Sequence, residues 1–205
     1  MIYLAYLLTV VEGYLLGCSN MAYYIAKLRH VDIRSRGSKN LGASNAAIVL
    51  GWKAGILVAA HDIGKAVLAV YLAKWVFPAV PYIGAVAGVS AVLGHIFPVF
   101  LKFKGGKGFA SYLGMTIALN WKLALVILAA VVLVTLVTDY IVCGTFTTIV
   151  AVPTYLALSM HSWVIALILG VGTAVIFLKH RENIVRLINH TEIGLRSTAR
   201  GEHRA

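Results

Sequence analysis

A chain of 205 residues that is 60% hydrophobic and only 12% charged is not a soluble domain, which carries about twice that charged fraction. The formal charge of +11, from 18 basic and 7 acidic residues, would point to nucleic acid in a soluble protein. In a chain made of long apolar runs the positive-inside rule explains it first, so no nucleic-acid partner is expected. The class implied is an all-α integral membrane protein of about seven transmembrane helices, some short or broken, forming a single domain over 1–205.

The first apolar run, Ile2 to about Ala26, is long enough for one tilted helix. It lacks a basic n-region and a small-residue cleavage site, which marks a retained helix rather than a signal peptide. From about Ala43 to Phe77 the run is too long for one crossing, and Gly51-Trp52-Lys53 divides it into a short segment and a full span. Pro78 and Pro81 mark a turn, and Tyr82 to Phe100 supplies the next span. Phe109 to Leu119 is about two-thirds of a span, closed by Asn120-Trp121-Lys122. Such half-helices are tolerated where they are buried in protein or line a wet cavity. Leu123 to Val137 returns, Asp139 and Tyr140 turn the chain, and Ile141 to Ser159 and Trp163 to Leu178 follow. A polar, basic tail begins at about 179.

Three polar clusters interrupt the apolar runs, and they or their flanks hold 14 of the 18 basic residues. This predicts that all three face the cytoplasm, with the amino terminus outside. Cys18 and Cys143 lie in apolar segments without metal-ligand spacing, and neither a metal nor a cofactor is expected.

Cluster one, Arg36 to Asn45 (RGSKNLGASN), places Ser38, Asn40, Ser44 and Asn45 around Gly37 and Gly42. A helix cap and turn would use these residue types. With Arg34, Arg36 and Lys39 there are more of them than a cap needs, and together they suit a polyol or a phosphate. Cluster two, GHIFPVFLKFKGGKGFAS from Gly94, carries Lys102, Lys104 and Lys107 among Gly105, Gly106 and Gly108. Glycines bring backbone N–H groups close to a ligand, and the helix start that follows adds more, so a phosphate is the expected ligand. His95, Phe97, Phe100 and Phe103 suggest a fixed pocket wall, and neither GxxxxGK[ST] nor GxGxxG spacing is present. A basic turn in water is the plain alternative. Cluster three, HRENIVRL with Glu192 downstream, puts His180 and Asn183 on one helical face, suited to orienting a hydroxyl near pH 7. A tail lying on anionic lipid is its alternative.

Within the spans, Asp62 and Lys65 form either a helix-packing ion pair or part of a site, with His61 beside them. Glu12 is a lone acid in the first span. Gly84 with Gly88, and Gly51 with Gly55, have the spacing of close helix contacts.

Taken together, the three clusters resemble the motifs of the bacterial acyl-phosphate:glycerol-3-phosphate acyltransferases, the PlsY family. RGSKNLGASN is similar to its GSGNxGATN segment, GHIFPVFLKFKGGKGFAS to its signature loop, and HRENIVRL with Glu192 to its third motif. The resemblance covers nearly the whole chain. It implies a seven-helix enzyme of the bacterial inner membrane with its active site facing the cytoplasm. Such an enzyme moves a fatty acyl group from acyl phosphate to the 1-hydroxyl of glycerol 3-phosphate, the first step of phospholipid synthesis, and gives lysophosphatidic acid and phosphate.

Carried onto this sequence, the resemblance implies catalytic roles for Ser38, Lys107, His180 and Asn183. It implies substrate contacts at Lys39, Asn40, Ser44, Asn45, Lys104, Gly105, Gly106, Thr145, Arg181 and Glu192, and membrane lipid around the acyl chain. The enzyme that forms acyl phosphate is a candidate partner. Acyl phosphate is already activated, and neither a GxSxG elbow nor an HxxxxD signature occurs, so no covalent acyl-enzyme is expected. Two departures bear on the acceptor: Lys39 replaces a glycine, and Ile48 replaces an arginine that Lys39 would have to stand in for. A paralogue acting on another phosphorylated acceptor, or a small-anion transporter, are the alternative readings. Broken helices suit a transporter, but the paired halves expected of one are missing.

Overall fold

The computed structural model describes residues 1–196 and 200, so Arg204 at the end of the basic tail lies outside the described residues. Helices are the regular elements among the described residues. Among the described residues five stretches are long and apolar enough to cross a bilayer, and a bent pair makes a sixth. The expected number of about seven is reached by counting the 11-residue half-helix as well.

The first run is not one smooth helix. It divides into α1 (Ile2–Gly17) and α2 (Met21–Leu28), because Asn20 turns extended and its side chain accepts from the Tyr23 N–H at 2.9 Å. The expected break at Gly51 separates α3 (Ala43–Leu50) from α4 (Trp52–Val76). Gly51 sits at φ +93° with open space around it, so it serves the break and not a helix contact. α5 (Ile83–Ile96) continues through Pro98 into a 3₁₀ turn at Val99–Leu101.

The half-helix α6 spans Phe109–Leu119, as the hydropathy requires. Asn120 both ends it and starts α7 (Trp121–Thr138), its backbone N–H bonding to Thr116 and its side chain accepting from Leu123. Then come α8 (Ile141–Ser159), α9 (Trp163–Lys179) and, bent 50° away, α10 (Arg181–Ile188).

α5 is the central post. In the apolar stretch it opens, Ile83–Leu101, 72% of the residues are buried, against 22% for α7, whose Val126, Leu133 and Val137 face outward. Lipid is as apolar as leucine, so helices here associate by close packing and not by escape from water. Accordingly, α1 meets α5 through small residues: a Cβ on Gly17 would lie 2.1 Å from the Ala91 carbonyl oxygen, and one on Gly94 would lie 2.1 Å from that of Tyr14. On the other side of α5, Val92 and Ile96 pack with Tyr112 and Met115 of α6, Ile149 and Val152 of α8, and Ile176 of α9. This arrangement holds the ends of α3, α5, α6, α8 and α9 around one cavity.

Candidate active site

The cavity has a volume of about 250 Å³ and gathers residues of all three clusters. Ser38, Asn40 and Ser44 come from the first, Lys107 from the second, and His180, Asn183 and Glu192 from the third, with Thr145 of α8 beside them. Three helices begin in its wall: Gly42, Ala43 and Ser44 open α3, Gly108, Phe109 and Ala110 open α6, and Ile141 and Val142 open α8. The first turn of each leaves backbone N–H groups without helical partners, and the dipole adds positive potential there. Lys107 is the one lysine or arginine among the described residues lining the cavity. An anion is the ligand these features suit.

Cluster one is not a helix cap. Gly42 precedes α3 with no side-chain cap bond. Asn45, expected as a substrate contact, is fully buried and does not line the cavity. Its Oδ1 accepts from the Ser38 N–H at 2.8 Å, and its Nδ2 faces the carbonyls of Ile33, Asn40 and Arg36 at 3.0, 3.1 and 3.2 Å. Asn45 therefore shapes the loop that presents Ser38 and Asn40. Lys39, in a left-handed conformation at φ +58°, is exposed and outside the cavity lining, while Ile48 is buried in the cavity wall.

Cluster two works differently from a phosphate-cradling loop. The Gly105 N–H donates to the Ile96 carbonyl at 3.2 Å and the Gly106 N–H to the His95 carbonyl at 3.1 Å. Both amides are thus spent on closing the end of α5 and are not free for a ligand. Gly105 and Gly106 line a separate groove with Lys107, Lys179 and Arg181, and Lys179 lies 4.6 Å above the Phe97 ring. Lys104 faces another groove, with Tyr23, Asp32, Arg34 and Phe100. Gly108 keeps the role expected of glycine here: at φ +93° it turns the chain into α6 and aims that helix start at the cavity.

Lys107 Nζ donates to Asn183 Oδ1, Asn183 Nδ2 donates to Glu192 Oε1 at 2.6 Å, and Arg186 Nε donates to Glu192 Oε2 at 2.7 Å. Burial lowers the Lys107 ammonium from its ordinary pKa, Arg186 adds to the shift, and Glu192 and Glu182 oppose it. His180 Nδ1 lies 2.8 Å from the Ile176 carbonyl, so Nδ1 is the donor and Nε2 keeps a lone pair. Burial pulls this imidazole down to about 4, with the Ile176 bond opposing and Lys107 and Arg186 assisting, which leaves it neutral at pH 7. Glu192 also begins a segment that runs along the cavity wall. Ile193, Gly194 and Leu195 line the cavity, and the Leu195 N–H bonds to the Asp139 carbonyl at 2.8 Å.

Two further ionisable residues line the cavity: Asp62, read from the sequence as part of either an ion pair or a site, and His95, read as pocket wall, neither with an assigned role. Asp62 is 1% exposed, and its Oδ1 meets Lys65 Nζ at 2.9 Å, His95 Nδ1 at 3.3 Å and His61 Nδ1 at 3.5 Å. The charges inside α4 were the available signal for the network, but no spacing in the sequence connects them to His95. Arg186 was missed too. It reaches Glu192 only because the chain doubles back after α10.

The fold and cavity define a multi-pass membrane protein with a polar, anion-suited site at one end of its helices. Residues 7–190 match the family model of glycerol-3-phosphate acyltransferase. A glycerol-3-phosphate acyltransferase 1 of Oceanobacillus iheyensis is 35% identical, covering 94% of this chain and 96% of its own length. One of Thermoanaerobacter sp. is 40% identical, over 90% and 93%. The crystal structure of PlsY, an integral membrane glycerol 3-phosphate acyltransferase, in its glycerol 3-phosphate form superposes with a TM-score of 0.88 at 33% identity, over 94% of this chain and 96% of that one. Its lysophosphatidic acid form gives 0.83. The chain belongs to the glycerol-3-phosphate acyltransferase family.

Proposed function

We propose that this protein transfers a fatty acyl group from acyl phosphate to the 1-hydroxyl of glycerol 3-phosphate, releasing phosphate and lysophosphatidic acid. The observation that carries the reading is the convergence of three helix N-termini and the Lys107 ammonium on one cavity that also holds Ser38, His180 and Asn183. In this reading the α3 start, with Ser38, Asn40 and Ser44, holds one phosphate, and the α6 start with Lys107 holds the other. Asn183, held by Glu192, keeps Lys107 aimed. His180 Nε2 accepts a hydrogen bond from the attacking hydroxyl and orients it. The hydroxyl oxygen then bonds to the acyl carbon, the bond from that carbon to the phosphate oxygen breaks, and the leaving phosphate takes both the electron pair and the hydroxyl proton. Positioning and charge stabilisation carry the rate, with no covalent acyl-enzyme.

The basic excess around the three clusters supports placing the site at the cytoplasmic face of a bacterial inner membrane, with the amino terminus outside and one domain over 1–205. A different phosphorylated acceptor is the second reading, favoured by Ile48 in the cavity wall and Lys39 outside it.

Purified protein given acyl phosphate and glycerol 3-phosphate is expected to release phosphate, and Lys107→Ala to lower the rate by about 10²–10³. Release from wild type no greater than from Lys107→Ala sinks the proposal. A panel of phosphorylated polyols decides between the two acceptor readings.

A further inference from the structure

Ile193, Gly194 and Leu195 contribute to the cavity wall, yet they follow α10 instead of belonging to a packed helix. A short segment of this kind keeps one shape only if both of its ends are held. Its near end is held beside the site: the Thr191 N–H donates to the Arg186 carbonyl at 2.8 Å, and Glu192 accepts from Asn183 and Arg186. Its far end is held at the turn between α7 and α8. There the Leu195 N–H donates to the Asp139 carbonyl at 2.8 Å, the Arg196 N–H to Asp139 Oδ1 at 2.9 Å, and Arg196 Nη2 to the Leu136 carbonyl at 2.8 Å.

Asp139 is placed to do this by its backbone. It ends α7 at φ +72°, with its own N–H on the Thr135 carbonyl at 2.8 Å. Glycine is the usual residue in that left-handed position, and asparagine and aspartate are the side chains that tolerate it best. Ending a helix does not require a carboxylate. Here the carboxylate accepts from a backbone N–H 57 residues further along the chain. Two residues after Asp139, α8 begins, and its Ile141 and Val142 line the same cavity. Asp139 therefore joins two pieces of wall that are remote in sequence.

We infer that Asp139, itself outside the cavity lining, is a positioning residue for acyl transfer: it ties the 193–195 wall to the start of α8 and so keeps the cavity in the shape that holds glycerol 3-phosphate. The inference rests on the acyl-transfer reading above. Acyl phosphate has its chain in the bilayer whatever this wall does. Glycerol 3-phosphate is small and polar and has only the cavity to hold it, so loosening the wall falls on its KM. The tie is the hydrogen bond to the Arg196 N–H. The side-chain pair of Arg196 and Asp139, 3.9 Å apart with the arginine exposed, adds little.

Two substitutions at this position separate the tie from the turn, in the full-length protein in detergent micelles. Asp139→Gly suits the left-handed turn and removes the side-chain acceptor. Asp139→Asn keeps a carbonyl oxygen for the Arg196 N–H and removes the charge. Asp139→Gly is expected to raise KM for glycerol 3-phosphate about five- to ten-fold with kcat within about two-fold of wild type. It is also expected to speed hydrogen exchange at the Leu195 and Arg196 amides. Asp139→Asn is expected to restore both the KM and the protection. A role confined to ending α7 gives wild-type KM in Asp139→Gly. A role through negative charge at the start of α8 makes the two variants fail alike. Either result overturns the inference while leaving the acyl-transfer reading standing, and wild type that releases no phosphate overturns both. If Asp139→Gly does not fold, Arg196→Ala, which removes the bond to the Leu136 carbonyl at the same end, carries the test. Wild-type KM and wild-type exchange in that variant then count against a tie at this turn.

Discussion

Two ionic networks border the cavity, and they differ in how much bonding capacity each leaves open. In the inner network, between α4 and α5, Lys65 fills all three of its donors with Asp62, Ser19 and His95. In the outer network, between the glycine-rich loop and α10, Lys107 donates to Asn183, and Glu192 behind it holds Asn183 and Arg186. A charge at membrane depth has to be satisfied whether or not a ligand is present, because its desolvation penalty is continuous. A charge meant for a ligand must keep donors in reserve. The inner network therefore reads as permanent framework that fixes one ring, and the outer one as the part that meets substrate.

The widest separation between the two should come from Asp62→Ala. It strips the counter-ion from a buried ammonium and is expected to cost about 3–5 kcal/mol of stability, seen as a lowered unfolding temperature in detergent. Replacing Lys65 by Met in the same chain should return much of that loss. A stability equal to wild type in the single variant would mean that the inner network is not framework.

Glu192→Gln in the outer network should act in the opposite sense. It retains the shape but weakens charge-assisted bonds worth about 1.5–3 kcal/mol, so kcat/KM should fall by about ten-fold or more and the unfolding temperature should fall less than in Asp62→Ala. A large thermal shift with unchanged kinetics would reverse the assignment of the two networks. The smallest effect is expected at Lys39→Gly. Its side chain is exposed and outside the cavity lining, so KM for glycerol 3-phosphate should stay as in wild type. A strong rise in KM would show that Lys39 takes over the charge absent at Ile48.

Much of the architecture was legible beforehand because it depends on local rules. Phe109–Leu119 and Ile141–Ser159 end where the hydropathy and the Asn and Asp breaks require, and Gly51 divides α3 from α4 as expected. The first run serves as one span, Ile2–Leu28, as its length implies, whereas its break at Asn20 leaves no hydropathy signal because it is made by one side-chain bond within an unbroken apolar stretch. At the site, eight of the fourteen residues implied by motif resemblance line the cavity: Ser38, Asn40, Ser44, Lys107, Thr145, His180, Asn183 and Glu192. Asn45, Lys39, Lys104, Gly105, Gly106 and Arg181 do not.

The sequence by itself determined the membrane class, the family and the order of the segments, since helix length and hydropathy are set by residues close together in the chain. Tertiary structure alone decided which polar groups remain available. The amides of Gly105 and Gly106 are occupied by carbonyls at the end of α5, Asn45 is consumed by its own loop, and His95 is held by a lysine thirty residues away. Whether a donor is free depends on which acceptor the fold brings within about 3 Å, and that partner is not written in the spacing of a motif.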